Sequence, residues 1–328
     1  MKILVCEYIT AGGLPPPSPS LLREGDWMAL NLMRDLRDLA PHITHLMRAR
    51  SNGETPLDPQ QTLWIEPQDS FWKVLSNSVN AYDAVWPIAP ETEGLLERLS
   101  ATIIEAGGAL LSCPLAGVRL TASKWACFER LKAFGVPVVP TQRLDRSRTD
   151  PAFPFPLVIK PDDGVGCEGL QVIESQPHYQ AFVERHPEGD FIVQPLVSGE
   201  SISYSALFLK GQGVLLACNR QRMKRSKDRL HLAGIEVNAI SDPAGQHLDC
   251  LSRIAAALPE LWGYAGVDLL IENGQPLVLE VNPRLTSAYP ALREALGENP
   301  AAWVVDMYHQ QKLPRQRAIV SHPVWAQW

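Results

Sequence analysis

The chain has 328 residues, of which 45% are hydrophobic, 20% charged and 7% aromatic. This length predicts about two or three packed domains, and the composition is that of an ordinary globular protein. The formal net charge of −6 excludes the basic excess that is typical of a general nucleic-acid-binding protein. No apolar run reaches the ~18 residues that a membrane-spanning helix needs, so we expect no membrane association.

The cysteines and the first residues of the sequence indicate the cellular compartment of the protein. Six cysteines are scattered without a C-x-x-C pair, which excludes a disulfide framework and a structural zinc site. Residues 2–6 form an apolar run that continues into Glu7 without a small-residue cleavage site, so they indicate a first strand and not a signal peptide. We therefore predict a cytoplasmic protein.

The first part of the chain alternates predicted strands with predicted helices. Leu30, Met33 and Leu36 recur at helical spacing, and this pattern stops before Pro41. The predicted elements, in chain order, are a strand at 2–6, a proline-rich surface loop at 15–19, a helix through 30–39, a strand at 82–86, a helix through 95–104 and a short strand at 109–111. This alternation predicts a parallel α/β domain over residues 1–112.

After residue 112 the pattern changes to hairpins. Ser123 is placed to cap a helix that Gly135 and Pro137 terminate. Predicted strands then follow at 157–160, 170–173, 191–194, 201–209, 214–218, 267–271 and 277–282. The pattern predicts an α+β module with antiparallel sheets, divided into a small subdomain at 113–188 and a C-terminal subdomain at 189–328.

A glycine-rich segment at 164–169 matches G-x-G-x-x-G, but its context excludes the common nucleotide motifs. A strand follows it where a dinucleotide-binding fingerprint requires a helix, and it lacks the G-K-[ST] of a Walker loop. Lys160 precedes the glycines, whereas a protein kinase has its glycine loop before the phosphate lysine. The remaining interpretations are a flexible hairpin whose amides cover phosphates and an ordinary glycine-rich turn.

Two lysines occupy unusual positions. Lys160 ends an apolar strand just before Pro161, so it is either an exposed strand end or an ammonium beside the ligand of the glycine hairpin. Lys124 lies in the first turn of its predicted helix, where the helix dipole disfavours a cation. An anionic ligand would remove that conflict.

Two carboxylates interrupt apolar stretches near the end of the module. Asp268 and Glu280 are costly inside buried strands unless they are paired or bind a metal. Glu280 and Asn282 share a strand face, whereas the position of Asp268 depends on the intervening turn. A two-residue turn at 273–274 would send Glu280 to the other face, and a three- or five-residue loop would set it opposite Asp268.

Pro276 favours the longer loop, because proline cannot donate to a strand ladder. We therefore expect an odd-membered turn, with Asp268 and Glu280 facing each other. Three oxygen ligands, two of them anionic, would then suit Mg²⁺ shared with nucleotide phosphates. An edge hairpin with solvated acids is the alternative, and the apolar surroundings disfavour it.

Two further segments carry polar residues beside predicted strands. In 194–200, Pro195 ends a strand and leaves backbone donors and acceptors for an adenine edge, with Glu200 available to ribose hydroxyls. A plain strand-to-turn transition is the alternative. The segment 220–229 holds six basic residues without interleaved aromatics, so it predicts a solvated loop or a mobile loop near an anionic substrate, and not an RNA-binding surface.

In this order, the two lysines, the glycine hairpin, the 194–200 segment and the acidic hairpin resemble the motifs of the ATP-grasp superfamily. The resemblance covers residues from about 115 to 295, and the preceding α/β unit is similar to that superfamily's N-terminal domain. It implies two antiparallel-sheet subdomains that clasp ATP. The implied nucleotide-binding residues are Lys124 and Lys160 on the α- and β-phosphates, Asp163, Gly164, Gly166 and Gly169 over the β- and γ-phosphates, the backbone of Gln194 and Leu196 on adenine, and Glu200 on ribose. The implied Mg²⁺ ligands, with Mn²⁺ as the alternative metal, are Asp268, Glu280 and Asn282.

The chemistry implied by the resemblance is ligation. A substrate carboxylate attacks the γ-phosphorus to give an acylphosphate, and an amine then displaces phosphate to form an amide. Several members carry an arginine two positions before the first metal-binding acid, where this chain has Gly266. Arg284, Arg222 or Arg220 would supply that charge here, so the catalytic candidates are Lys160, Arg284 and Arg222, with Arg284 steadying the transferring phosphoryl group.

Three short stretches, at 7–13, 88–92 and 282–287, resemble the tyramine–glutamate ligase branch, which is associated with the synthesis of methanofuran-type cofactors. This implies a small carboxylate and a small amine as partners, with L-glutamate joined to tyramine or tyrosine. The alternatives are another superfamily enzyme, such as a D-alanine-type ligase or a purine-pathway carboxylase, and an ATP-binding module without turnover. The oligomeric state is left open, with a homodimer as one option.

Overall fold

The computed structural model describes residues 1–13, 18–39, 44–52 and 59–326. The N-terminal domain holds β1 (Ile3–Glu7), α1 (Pro19–Arg37), β2 (Thr44–Ala49), β3 (Thr62–Ile65), α2 (Phe71–Ser78), β4 (Ala84–Ile88) and α3 (Leu95–Glu105). Its strands form a parallel sheet in the order β3-β2-β1-β4, with β1 and β4 fully buried as parallel strands between helices usually are. The predicted parallel α/β domain is confirmed.

Two details of that domain differ from expectation. The predicted short strand at 109–111 is reduced to a single bridge between Leu110 and Val85. Of the predicted proline-rich loop, residues 15–17 lie outside the described residues, Ser18 caps α1 and Pro19 begins it. Proline suits the first turn of a helix, because the amide hydrogen that it lacks would have no partner there.

The central part of the chain builds a small antiparallel sheet. Its elements are α4 (Leu115–Ala122), α5 (Lys124–Ala133), β5 (Gln142–Arg143), β6 (Leu157–Pro161), β7 (Gln171–Ile173), α6 (Gln176–Arg185) and β8 (Phe191–Pro195). The strand order is β5-β8-β6-β7, and Phe182 of α6 packs on this sheet in a separate apolar cluster. A subdomain boundary at 188, as proposed from the sequence, would separate β8 from the strands it pairs with, so we place that boundary after Pro195.

The C-terminal part builds a larger antiparallel sheet in the order β13-β12-β9-β10-β11-β14. Its elements are β9 (Glu200–Leu209), β10 (Gln212–Ser226), β11 (Arg229–Ile240), α7 (Gln246–Ala257), β12 (Trp262–Glu272), β13 (Gln275–Asn282), α8 (Tyr289–Leu296), α9 (Pro300–Gln310) and β14 (Val324–Ala326). The antiparallel ATP-grasp-type module predicted from the sequence is thereby confirmed.

The basic segment 220–229 corrects one prediction. It is not a loop but the end of β10 and the start of β11, which pair up to Ser226 and Arg229. The loop expectation was wrong because carboxylates outside the segment compensate its charge: Arg222 pairs with Glu236 of the adjacent strand, and Arg225 pairs with Glu174. In the described part of the chain no helix is long and apolar enough to cross a membrane.

Candidate nucleotide and metal site

A cavity of about 530 Å³ lies between the small sheet and the large sheet. Its lining includes most of the predicted site residues, namely Lys124, Lys160, Gly164, Gly166, Gln194, Leu196, Glu200, Arg222, Asp268 and Glu280. Asp163, Gly169, Asn282 and Arg284 are outside that lining. Residues separated by more than 150 positions in the sequence therefore meet at one cavity, as a nucleotide clasped between two sheets would require.

The acidic hairpin reaches the predicted arrangement by a different route. The turn at Asn273 and Gly274 has two residues, both with positive φ (49° and 80°), so the expectation of an odd-membered loop was wrong. A β-bulge at Leu279 compensates, because it places one extra residue in β13 and brings Glu280 opposite Asp268. Pro276 fits without a longer loop because β13 is an edge strand.

Asp268 is partly buried between polar neighbours. Its two oxygens accept hydrogen bonds from Gln221 Nε2 (2.9 Å) and Asn282 Nδ2 (3.2 Å). Burial, and then the negative charge of Glu280, raise the pKa of the Asp268 carboxyl to about 7. A bound cation would relieve that repulsion.

The surroundings of Glu280 shift its pKa in the opposite direction. Its Oε2 lies 3.4 Å from Lys124 Nζ and 3.7 Å from Lys160 Nζ. Burial opposes ionisation, but the two ammonium groups outweigh it and hold the pKa of the Glu280 carboxyl below its usual range. One oxygen of Glu280 therefore joins the α5 lysine to the β6 lysine.

The acidic hairpin fits Mg²⁺ as a shared ligand set. Within residues 1–13, 18–39, 44–52 and 59–326, no group of three His, Cys, Asp or Glu side chains could hold a metal by itself. The donors present are two carboxylates and the amide oxygen of Asn282, whose amide nitrogen bonds Asp268. Mg²⁺ commonly takes one or two carboxylates and completes its shell with phosphate and water oxygens. The metal assignment remains a prediction that these donors support.

Lys124 is held at its unfavourable position by backbone oxygens. Its ammonium donates to the carbonyls of Gly164 and Asp162, the latter at 3.4 Å. The helix start is itself compensated, because Trp125 N donates to Asp162 Oδ1 at 2.7 Å and Ser123 caps Ala126 N. Burial lowers the pKa of the Lys160 ammonium, although Glu280 pulls it upward. Both lysines are therefore buried cations at the cavity wall.

The glycine hairpin is closed against the N-terminal domain. Gly166 and Gly169 have φ of 59° and 70°, which glycine adopts without strain. Asp163 Oδ2 accepts from Glu93 N (2.8 Å), and Thr92 Oγ1 donates to the Asp163 carbonyl (3.3 Å). Asp163 therefore anchors the glycine hairpin to the N-terminal domain. Its implied contact with phosphate stays a prediction.

The 194–200 segment lies at the cavity, and one of its backbone donors is already used. Leu196 N donates to the Pro156 carbonyl at 3.1 Å, so the backbone contact with adenine that the resemblance implies at this residue is left to its carbonyl and stays a prediction. Leu196 continues the β6–β8 pairing one step past Pro195. The Gln194 side chain is buried and donates to Thr141 Oγ1 at 2.9 Å. Glu200 is part-exposed and accepts from Arg220.

The candidate arginines are all paired with carboxylates. Arg284 is largely buried, and its Nε and Nη2 donate to Glu91 Oε2 at 3.0 and 2.9 Å. Burial opposes that charge, but Glu91 outweighs it and raises the pKa of Arg284. Arg222 is half exposed and donates from Nε to Glu236 Oε1 at 2.8 Å.

Gly266 stands where several superfamily members carry an arginine. A Cβ at this position would lie 2.5 Å from Thr286 Cγ2, so a side chain there would require Thr286 to move. The positive charge that this arginine supplies in those members therefore has to come from another residue of this chain.

Sequence reasoning missed three polar residues around these groups. Gln221 holds Asp268 and accepts from Ser201 Oγ at 2.7 Å, and Glu236 holds two arginines. Their only sequence signal is their position on strands, which requires knowledge of the register. Glu91 falls inside the 88–92 stretch that carried the family resemblance, although its bond to Arg284 was not predicted.

Comparison with family models gives two matches that together cover most of the chain. The model described as the ATP-grasp domain matches residues 121–288, which is more than half of the chain, and the pre ATP-grasp 3 domain matches residues 42–118. The first match contains every predicted nucleotide, metal and catalytic residue.

Whole-length relatives agree with this pattern. The chain is 23% identical to a tyramine–L-glutamate ligase of Methanocaldococcus jannaschii, over 90% of this chain and 88% of that protein. It is 25% identical to the tyramine–L-glutamate ligase of Methanocaldococcus fervens, over 90% and 93%. A crystal structure of a putative ATP-grasp superfamily protein from Archaeoglobus fulgidus superposes with a TM-score of 0.71 at 22% identity, over 99% of this chain and 97% of that one. The chain therefore belongs to the ATP-grasp family.

Proposed function

We propose that this protein is an ATP-dependent carboxylate–amine ligase that joins L-glutamate to tyramine or tyrosine through an acylphosphate. The observation that carries the proposal is the meeting of Lys124, Lys160 and the Asp268–Glu280 pair at one cavity under the glycine hairpin. Two buried cations beside two facing carboxylates suit a metal-bound polyphosphate. Family membership and whole-length ligase relatives place the protein among ATP-dependent ligases.

In the proposed reaction a glutamate carboxylate oxygen attacks the γ-phosphorus and ADP leaves. The amine nitrogen then attacks the acyl carbon, and phosphate and a proton leave. Lys124 and Lys160 would neutralise phosphate oxygens as the two anions approach, and Arg284 would steady the transferred phosphoryl group. Mg²⁺ held by Asp268, Glu280 and Asn282 would supply further charge neutralisation.

The proposed substrates are supported by similarity over nearly the whole chain to two proteins named tyramine–L-glutamate ligase. The stretches at 7–13 and 88–92 lie in the N-terminal domain, and both contribute to a cavity that the glycine hairpin also lines. The candidate phosphate-binding and metal-binding side chains form a complete set, which argues against an ATP-binding module without turnover.

The test is ADP release from Mg·ATP with L-glutamate and tyramine, supplied together and separately. We expect ADP only when both are present, because each half-reaction needs its own acceptor for turnover. D-alanine and bicarbonate, as substrates of other superfamily enzymes, are the comparison substrates. ADP release with either of them and none with glutamate and tyramine would contradict the proposal.

A further inference from the structure

A second, smaller cavity adjoins the nucleotide cavity. It has a volume of about 220 Å³ and lies between β1, α1 and β4 of the N-terminal domain and the glycine hairpin. Glu168 of the hairpin lines both cavities, so the hairpin is their common wall. Its volume is below the roughly 300–1,000 Å³ of pockets for drug-sized ligands, which suits a small metabolite.

The charges around this second cavity are mostly negative. Four carboxylates line it, with Glu7 buried, Glu24 half-buried, and Glu93 and Glu168 exposed at the rim. Its one lining cation among the described residues is Arg284, whose charge is already compensated by Glu91. An anionic ligand would be repelled here, and a cation would be attracted.

Glu7 is fixed by its surroundings. Its oxygens accept from Thr10 N at 2.7 Å and Ile9 N at 3.2 Å. Gly25 of α1 packs directly on this carboxyl group, since a Cβ there would lie 2.5 Å from Glu7 Oε2. The glycine lets the helix approach and brings Glu24, the preceding residue, to the same cavity.

A buried acceptor without a partner lies next to the lining residues of this cavity in the chain. Glu91, between the lining residues Pro90 and Thr92, is buried, and its Oε1 has no hydrogen-bond partner in the described part of the chain. Burial raises the pKa of Glu7 to about 7, so that carboxyl is also incompletely compensated. Within the cavity, the Glu7 carboxyl group has no ion-pair partner among the described residues.

Apart from Thr92, the rest of the lining is apolar. Ile9, Leu21, Met28, Ile88 and Leu95 contribute side chains from four different segments. An apolar wall stabilises hydrocarbon by roughly 25 cal/mol per Å² of buried surface, and it offers nothing to a second charged group. The cavity is therefore suited to a molecule with a single cationic end and an apolar body.

We propose that the second cavity binds the acceptor amine as a primary ammonium with an apolar body, with Glu7 and Glu24 recognising the ammonium. This assignment rests on the proposed ligase function for the role of acceptor, because the hairpin wall puts the amine next to the phosphoryl-transfer site. The carboxylate substrate is expected outside the second cavity, on the nucleotide side of the glycine hairpin.

The test measures binding of three probes that share one body, by calorimetry with the full-length protein, with and without Mg²⁺ and a non-hydrolysable ATP analogue. The probes are tyramine, 4-ethylphenol, which lacks the ammonium, and 3-(4-hydroxyphenyl)propionate, which is anionic. We expect tyramine to bind at least tenfold tighter than either. Glu24→Gln and Glu7→Gln should each weaken tyramine binding at least tenfold without changing that of 4-ethylphenol.

Glu105→Gln, an exposed carboxylate of α3, is the matched control and should leave all three affinities unchanged. If Glu7→Gln fails to fold, the tyramine affinity of Glu24→Gln decides the test, because Glu24 is only half-buried. Equal affinity for tyramine and 4-ethylphenol, preference for the propionate, no tyramine binding, or wild-type tyramine binding in both variants would each overturn the assignment. Carboxylate-dependent tyramine binding without amide formation would support the assignment and contradict only the ligase proposal.

Discussion

At the scale of single residues, Glu280 is the side chain that contacts both lysines of the proposed nucleotide site. Lys124 comes from α5, Lys160 from β6 and Glu280 from β13, yet both ammonium groups lie within 4 Å of one Glu280 oxygen. The carboxylate holds the two cations in place before any phosphate is bound. Such preorganised charges are the usual source of large electrostatic contributions to catalysis.

Lys160→Ala and Glu280→Ala are each expected to lower kcat with Mg·ATP and both substrates by about 100-fold or more. The first change removes a proposed phosphate contact, and the second removes a proposed metal ligand and the partner of two lysines. The measurement is steady-state ADP release, with circular dichroism to check the fold. Lys73→Ala on α2 is exposed and serves as the control. A rate near that of the wild type in either site variant would disprove the site assignment.

The Glu7 carboxyl should make stability depend on pH. Its pKa is about 7 in the folded protein, mainly through burial, against an ordinary value of 4.5. The unfolded chain therefore releases this proton at lower pH, so the free energy of unfolding falls as pH rises from about 4.5 to 7. The contribution is on the order of 2 to 3 kcal/mol.

Urea unfolding at pH 5 and pH 8 measures this effect. Wild type should lose more stability between the two pH values than Glu7→Gln does, because glutamine does not ionise. An identical pH dependence in the two proteins would show that Glu7 is not responsible.

At the scale of elements, the glycine hairpin offers a matched pair of substitutions. Gly166 and Gly169 both have positive φ, but a Cβ at Gly169 would lie 2.7 Å from Pro161 Cγ, whereas Gly166 faces open space. Alanine at either site costs about 1 kcal/mol of backbone strain, and only Gly169→Ala adds a clash with the strand that carries Lys160. We expect Gly169→Ala to raise KM for ATP about tenfold and Gly166→Ala less than threefold. Equal effects would mean that the contact with Pro161 does not set the hairpin's position.

The acidic hairpin shows how far the sequence predicts an element. The facing of Asp268 and Glu280 could be anticipated, because two buried carboxylates require a common partner. The way in which the two strands reach this register could not be anticipated. The turn at 273–274 has two residues, and a bulge at Leu279 brings Glu280 opposite Asp268. A bulge depends on pairing with the neighbouring strand, for which a single sequence carries no local signal.

At the scale of the whole molecule, a buried ion pair links the N-terminal domain to the ATP-grasp module. Glu91 follows β4, and Arg284 follows β13, 193 positions later. Apolar packing crosses the same boundary, since Leu32 and Met33 of α1 share a cluster with Leu292 of α8 and Val304 of α9. The domain that lines the second cavity is thus fixed against the module that lines the first.

Glu91→Ala is expected to destabilise the protein by about 3 kcal/mol or more, because it leaves the buried Arg284 charge without its partner. The exposed pair of Glu97 and Arg119 is the control, and Glu97→Ala should cost below about 1 kcal/mol. Urea unfolding of both variants gives the comparison. Similar losses for the two would contradict a structural role of the Glu91–Arg284 bridge.

The long-range features are those that the sequence left undetermined. Lysines, glycines and acids in a fixed order indicated the family and its antiparallel sheets. The Glu91–Arg284 bridge, the pairing of Glu236 with two arginines and the closure of residue 163 on residue 93 all join distant segments. Such contacts follow from the packing of complete elements, so local patterns do not predict them.

The most direct test of the central claim uses L-glutamate labelled with ¹⁸O in its carboxyl groups, together with Mg·ATP and tyramine. If the carboxylate is activated by phosphorylation, one ¹⁸O passes to inorganic phosphate for each amide formed. The product mass then equals glutamate plus tyramine less one water, and it retains the remaining label. Unlabelled phosphate accompanying ADP release, or the absence of an amide product, would contradict the account.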